Sequence, residues 1–236
     1  MLYQLSYAGR GSILGAESVV AGADDGQVEA GAEARKDRWD REERGVEFSR
    51  IVAFSDGVFA IAITLLVLQI DIPDPLPAGE SVGEALWNQH GDLLAFAVSF
   101  AVIGRLWLVH HRFFGDVTHF DSNLMALNLL YLGFVVLIPF SSEVLGEHGD
   151  TEAGVILYAA NLSITNLIGG LMFLYAARSG ITTSSFVEYV KSPLRLRNVA
   201  GSFVFAASIP IALLDPLAAI LVWGVLFFVP GRDRRG

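Results

Sequence analysis

Cysteine is absent from all 236 residues. That excludes disulfide frameworks, thiolate metal sites and cysteine nucleophiles together. Charge is scarce as well: Asp, Glu, Lys and Arg make up 17% of the chain against 53% hydrophobic residues. The mean hydropathy is +0.51. A soluble domain of this length rarely reaches such values, whereas stacked apolar runs of about 20 residues are what a bilayer demands. The opening stretch does not read as a convincing signal peptide, because no basic segment precedes an unbroken apolar core there. Lys and Arg are also missing from alternate connections between the apolar runs, and that shortage sets the orientation derived below.

What remains is a series of six apolar segments, at about 48–70, 92–114, 123–145, 154–177, 197–214 and 216–230. Backbone polar groups in lipid must be satisfied within the segment or by a closed barrel, and no period-two alternation marks barrel strands here. The reading is therefore an all-α integral membrane protein with six transmembrane helices. Pro210 and Pro216 interrupt the last pair, and Asp215-Pro216 reads as the turn of a compact hairpin. Ahead of the first segment, residues 1–47 form a different region. Through Ala34 it is rich in Gly, Ala and Glu ("GAESVVAGADDGQVEAGAEA") and reads as a disordered tail. "RKDRWDREERGVEF" after it reads as a charged lead-in helix at the membrane surface.

Orientation follows from the cations. Arg10, Arg35, Lys36, Arg38, Arg41, Arg44 and Arg50 precede or open the first segment, and Arg112 follows the second. Arg178, Lys191, Arg195 and Arg197 lie between the fourth and fifth, and Arg232, Arg234 and Arg235 lie in the terminal stretch 231–236. The other three connections have none. The positive-inside rule then puts both termini in the cytoplasm of a multi-pass cell-membrane protein. The opposite side is acidic: Asp71, Asp74, Glu80, Glu84 and Asp92, then Glu143, Glu147, Asp150 and Glu152, then Asp215. Such a surface concentrates cations at the mouth of a pore, although loops without Lys or Arg also become acidic by subtraction. The basic residues are spread along the inner face, where anionic lipid accounts for them, so no nucleic-acid partner is expected.

The first segment, "RIVAFSDGVFAIAITLLVLQI", sets an ionisable residue among apolar ones. At 100° per residue, Ile61, Leu65 and Leu68 share a narrow stripe with Thr64 at its edge, and Arg50, Phe54 and Gly57 lie roughly on that side. Asp56 points the other way and Ser55 lies well off the stripe. A carboxylate in a membrane is costly unless it is hydrogen-bonded, so Asp56 is expected to face neighbouring helices, with Ser55 adding a second interhelical bond. The stripe itself can face lipid or a lumen, and periodicity does not choose. Partners for Asp56 stand at the same depth in "GRLWLVHHRFF", which carries Arg105, Trp107, His110, His111 and Arg112. His110 and His111 are adjacent and diverge by about 100°, which argues against one shared metal. A metal site with Asp116 and His119 is the lesser alternative. Asn123 and Asn128, then Asn161, Ser163, Thr165 and Asn166, read as groups that bond helices together.

These residues carry a resemblance. "RIVAFSDGVFAIAITLL" resembles the R-x-x-x-F-S-D signature of the transmembrane protein 175 family of potassium channels, and "LWLVHHRFF" is similar to its second-helix Trp/His-His element. "LNLLYLGFVVLIPFSSEVLGEHGD" and "SIPIALLDPLAAILVWGVLFF" are similar to the third helix with its Pro-Phe exit and to the last two helices. The likeness runs from about Phe48 to Val229. It implies a passive K+ channel without the TVGYG loop of ordinary potassium channels, and no such loop occurs here. It implies one six-helix repeat per subunit and a homotetramer around a central pore lined by helix 1. Ile61, Leu65 and Leu68 would then be hydrophobic constriction rings, with Thr64 a hydroxyl layer beside them. Arg50, Phe54, Ser55 and Asp56 would hold the helix in place through Trp107, His110 and His111. No cofactor is implied, K+ being the permeant ion, and the partners are other copies of the chain and lipid. The long tail departs from the family, as does Ser141 where a Thr more often follows Pro-Phe.

Two other classes compete. A secondary, proton-coupled cation transporter would use Asp56 with His110 or His111 as its titrating pair. Inverted repeats and helices broken in mid-membrane, common in such carriers, are not evident. An enzyme would need a nucleophile and base, or a metal cluster, and no such constellation accompanies the histidines, so no catalytic residue is assigned.

Overall fold

The computed structural model describes residues 25–71, 74–191 and 196–223. They form eight α-helices and one short 3-10 helix: α1 (Asp25–Leu65), the 3-10 turn Leu66–Gln69, α2 (Val82–Asn88), α3 (His90–Phe114), α4 (Ser122–His148), α5 (Glu152–Arg178), α6 (Ser184–Lys191), α7 (Leu196–Ala212) and α8 (Pro216–Trp223). The chain divides into two units, Met1–Glu47 and Phe48–Gly236. In the first, helix begins at Asp25, inside the stretch read above as a tail. Ala, Glu, Gln, Lys and Arg dominate 27–44, and these straight-chain residues lose little side-chain freedom in a helix.

Among the described residues, four helices are long and apolar enough to cross a membrane: Gly45–Gln69, His90–Phe114, Ser122–His148 and Glu152–Arg178. The fifth and sixth expected segments correspond to α7 and α8, and Phe203–Ala212 within α7 is a shorter apolar helix. Residues 224–230 of the sixth segment, the basic end 231–236 and residues 1–24 of the tail lie outside the described residues. The hairpin between α7 and α8 turns at Asp215. Its Oδ1 accepts from the amides of Leu217 (2.9 Å) and Ala218 (3.2 Å), and Pro216 supplies the first helical residue, where its missing N–H costs nothing.

Side chains cap the starts of several helices. Ser81 and Glu84 form a reciprocal capping box at α2. Thr151 accepts from the Gly154 amide at 3.2 Å at the head of α5. Asp121 caps α4, accepting from the Leu124 amide at 2.8 Å and from the Tyr175 hydroxyl of α5 at 2.5 Å. Desolvation pushes the Asp121 carboxyl up, but those hydrogen bonds and nearby His119 outweigh it, so it sits below its ordinary value.

Lipid is as apolar as leucine, so helices in a membrane associate through close packing and hydrogen bonds rather than through the hydrophobic effect. Both appear between α3 and α4. A Cβ added at Gly91 would lie 2.7 Å from the Gly146 carbonyl oxygen, and one added at Gly146 would collide with Asp92. Only glycine lets the two backbones approach so closely. At the basic end the loops after α3 and α5 pair through a single antiparallel bridge, Val117 with Thr182, flanked by Thr118 N to Ile181 O at 2.9 Å and Thr183 N to Asp116 O at 3.0 Å. Phe113 packs there against Phe173 (4.6 Å) and Phe186 (5.5 Å), while Phe114 stacks on Phe120 (5.3 Å). These contacts fix the basic ends of α3 and α5, and with them the partners of α1.

Candidate functional site

The two sides of α1 have different surroundings. Ser55 (0% exposed), Phe59 (2%), Ala62 (1%) and Leu66 (0%) recur at helical spacing and are sealed against the other helices. Phe54 (56%), Ile61 (60%), Leu65 (40%) and Leu68 (74%) stand on the opposite side, at the surface of the chain. Arg50 and Thr64 are exposed with them, and Asp56 is half-buried between the two faces.

The sealed face is held by a chain of hydrogen bonds through three helices. Ser55 Oγ donates to the Ile51 carbonyl at 3.0 Å, and Asn128 Nδ2 of α4 donates to Ser55 Oγ at 3.0 Å. That turns Asn128 Oδ1 toward His110 Nε2 of α3, 2.9 Å away. An acceptor oxygen requires a donor opposite, so Nε2 of His110 carries the proton. The ring is clamped by aromatics: it stacks on Tyr131 (5.5 Å, 11° between planes) and contacts Phe114 (4.5 Å) and Phe59 (5.2 Å). A second bond lies beside this chain, with Trp107 Nε1 donating to Asp56 Oδ1 at 2.9 Å. Asp56 and His110 therefore each have a neutral partner of their own.

Of the residues singled out in the sequence, the structure brings Ser55, Asp56, Trp107 and His110 together, and Asn128 joins them at the centre. His111 is exposed and lies beside the Trp107 indole at 5.4 Å. Arg50 and Phe54 are on the exposed side rather than among the buried polar groups. Of the groups expected to bond helix to helix in α5, Asn161 does so, donating to Ser141 Oγ of α4 at 3.1 Å. Ser163, Thr165 and Asn166 instead bond the carbonyls of Ala159, Asn161 and Leu162 in their own helix. A Ser, Thr or Asn side chain in mid-helix reaches the carbonyl four residues back without help from a neighbour, and that local bond prevails here. Thr64 behaves similarly, donating to the Ile61 carbonyl at 2.9 Å.

A second polar layer, unremarked in the sequence, lies toward the acidic side. Ser99 of α3 donates to Ser142 of α4 at 2.8 Å and lies 3.0 Å from the Tyr158 hydroxyl of α5. Ser142 donates to the Ala95 carbonyl at 3.3 Å. Gln69, in the 3-10 turn that ends the first span, donates from Nε2 to the Pro139 carbonyl of α4 at 2.6 Å. Ser141 and Ser142 directly after Pro139-Phe140 were the available signal, since two serines in an apolar helix need partners.

Chemically, the arrangement is a helix fixed by buried hydrogen bonds on one side and presenting an apolar surface with one hydroxyl on the other. Comparison with known proteins gives this a context. Residues 50–139 match the family model described as the endosomal/lysosomal potassium channel TMEM175. The chain is 34% identical over 196 residues to a potassium channel of Streptomyces collinus, covering 80% of this chain and 93% of that one. It is 40% identical over 116 residues to the endosomal/lysosomal proton channel TMEM175 of Gallus gallus, covering 44% of this chain and 23% of the longer relative. The crystal structure of a lysosomal potassium-selective channel TMEM175 homolog from Chamaesiphon minutus superposes with a TM-score of 0.66 at 29% identity, covering 78% of this chain and 96% of that one.

Proposed function

The chain belongs to the TMEM175 family of potassium channels, and we propose from that premise that it forms a passive, K+-selective channel whose pore wall is the exposed face of α1. The observation that carries this reading is the division of α1 into a sealed polar-bonded face and an exposed apolar one. Four copies would surround a central pore, each contributing six membrane helices from residues 48–230, with 1–47 and 231–236 in the cytoplasm of a cell-membrane protein. Ile61, Leu65 and Leu68 would form successive apolar rings, and Thr64 a ring of hydroxyls. The reading needs no cofactor and no catalytic group, an ion channel not being an enzyme class.

The physical chemistry is consistent. A ring of four aliphatic side chains gates by dewetting: water leaves the constriction and an ion then meets a large solvation barrier. A small rotation or dilation of α1 rewets it. Na+ holds its water more tightly than K+, so a tight apolar passage penalises Na+ more. The Thr64 hydroxyl spends its proton on the Ile61 carbonyl, which leaves oxygen lone pairs able to face a dehydrating cation. The acidic residues at the opposite end from the arginines would raise the local cation concentration. Asp56 and His110 serve in this scheme as ties for α1 rather than as a titrating pair, which is what a carrier would require.

The test is a reversal potential for purified protein in a planar bilayer, with K+ on one side and Na+ on the other. The expected result is a potential close to the K+ equilibrium value. Currents reversing near zero would replace the reading with a nonselective cation pore, and saturable, gradient-coupled flux without channel currents would replace it with a carrier. A pH gradient imposed in the same bilayer separates H+ from K+ current, which matters because a vertebrate relative bears the name of a proton channel.

A further inference from the structure

The far end of α1 changes geometry just where the apolar stripe ends. After Leu65 the backbone tightens into the 3-10 turn Leu66–Gln69, closed by Ile70 N to Val67 O at 3.2 Å. Leu68 and Leu65, both on the exposed stripe, lie one and four positions before Gln69. The Gln69 amide reaches across to α4 and donates to the Pro139 carbonyl at 2.6 Å. Its Oε1 is buried and has no hydrogen-bond partner among the described residues. One donor bond therefore orients the whole side chain.

The acceptor is part of a hub. Pro139 is followed by Ser141, which accepts from Asn161 of α5 at 3.1 Å, and Ser142, which accepts from Ser99 of α3 at 2.8 Å. Ser99 also meets the Tyr158 hydroxyl at 3.0 Å. Residues 139–142 thus tie α3 and α5 to α4, and Gln69 is what ties the first span to that same level. Nearer its start the span is held by two bonds, at Ser55 and Asp56. Between the two ends, Phe59, Ala62 and Leu66 are buried by packing, while Thr64 bonds only its own helix.

We propose that Gln69 is the positioning residue of the outer constriction, a single-bond latch that holds the 3-10 turn against α4 and so fixes Leu65 and Leu68 relative to the pore axis. The inner ties set where α1 stands; the latch sets how its last turn is placed. With one bond at one end and two at the other, the outer turn is the part of the helix that releases first, and a small change there moves two of the three apolar rings. This rests on the channel reading above.

The test compares Gln69→Met, which keeps length and volume but loses the donor, with Gln69→His, which keeps an Nε2–H at similar reach. Single-channel recording in symmetric KCl reads open probability, and hydrogen exchange reads the backbone amides of 66–70. Gln69→Met should shift open probability by at least about threefold, the scale of one interhelical bond in a membrane protein. It should also speed exchange at 66–70 while leaving 55–62 unchanged. Gln69→His should return both readouts toward wild type. Wild-type behaviour of Gln69→Met would overturn the latch, as would a His variant displaced as far as Met, since restoring the donor would then restore nothing. A wild-type protein that passes no K+ current overturns the channel reading itself, a result separable from both.

Discussion

Along α1 and the 3-10 turn that ends it, Ser55, Phe59, Ala62 and Leu66 are sealed inside the helical bundle, while Phe54, Ile61, Leu65 and Leu68 stand on its surface. The sealed face is specified atom by atom: Ser55, Asn128 and His110 must each present the correct donor or acceptor to the next. The exposed face is specified only by character, since any apolar side chain of suitable size repels water in the same way. Substitutions on the first should therefore cost stability, and substitutions on the second should change conduction while leaving the fold intact.

The largest break in that contrast is Asn128→Leu. It strands His110 Nε2–H and removes the donor to Ser55 in a site with no access to water. The expected loss is about 2–5 kcal/mol, because a buried group left unsatisfied costs its full desolvation and networks lose more than one bond. Thermal denaturation in detergent should show a large fall in Tm, with currents lost through lack of folded protein. Next comes Ile61→Asn on the exposed face. An amide there hydrates the constriction, so unitary conductance or leak should rise severalfold with Tm unchanged within error. Unchanged conductance would remove Ile61 from the gate. The smallest effect belongs to Trp107→Phe, which keeps the ring beside His111 but deletes the donor to Asp56. A loss of about 1 kcal/mol is expected, with the ion preference retained.

How much of this was legible in the sequence depends on whether a feature is local. The four long spans were legible because each is a run of apolar residues that nothing but a bilayer or a core accommodates. The turn at Asp215-Pro216 was legible because a cap followed by proline acts within four residues. The two faces of α1 were legible because 100° per residue is enough to separate Ser55 from Ile61. The pairings across helices were not. That Asn128 bonds Ser55, or that Gln69 bonds Pro139, depends on how α1 and α4 are rotated and shifted against each other, and no single-segment pattern carries that. Ser163, Thr165 and Asn166 misled for the same reason: their composition suggests helix bonding, but their own backbone was the nearer acceptor. The start of α1 at Asp25 follows from the helix propensity of the residues after it, which no hydrophobic period marks.

The claim on which the account turns is that the exposed face of α1 meets water in a pore rather than lipid, and the absence of native cysteine makes it directly testable. Cysteine would be introduced singly at Ile61, Leu65 and Leu68, and at Leu167, which is as exposed but lies on α5. A membrane-impermeant, positively charged thiol reagent would then be applied during K+ recording. It reacts with thiolate, which forms in water and not in hydrocarbon. The account predicts that modification at Leu68, and on opening at Leu65 and Ile61, blocks the current while Leu167→Cys is unaffected. Conducting channels in which all three α1 positions are as inert as Leu167 would contradict it.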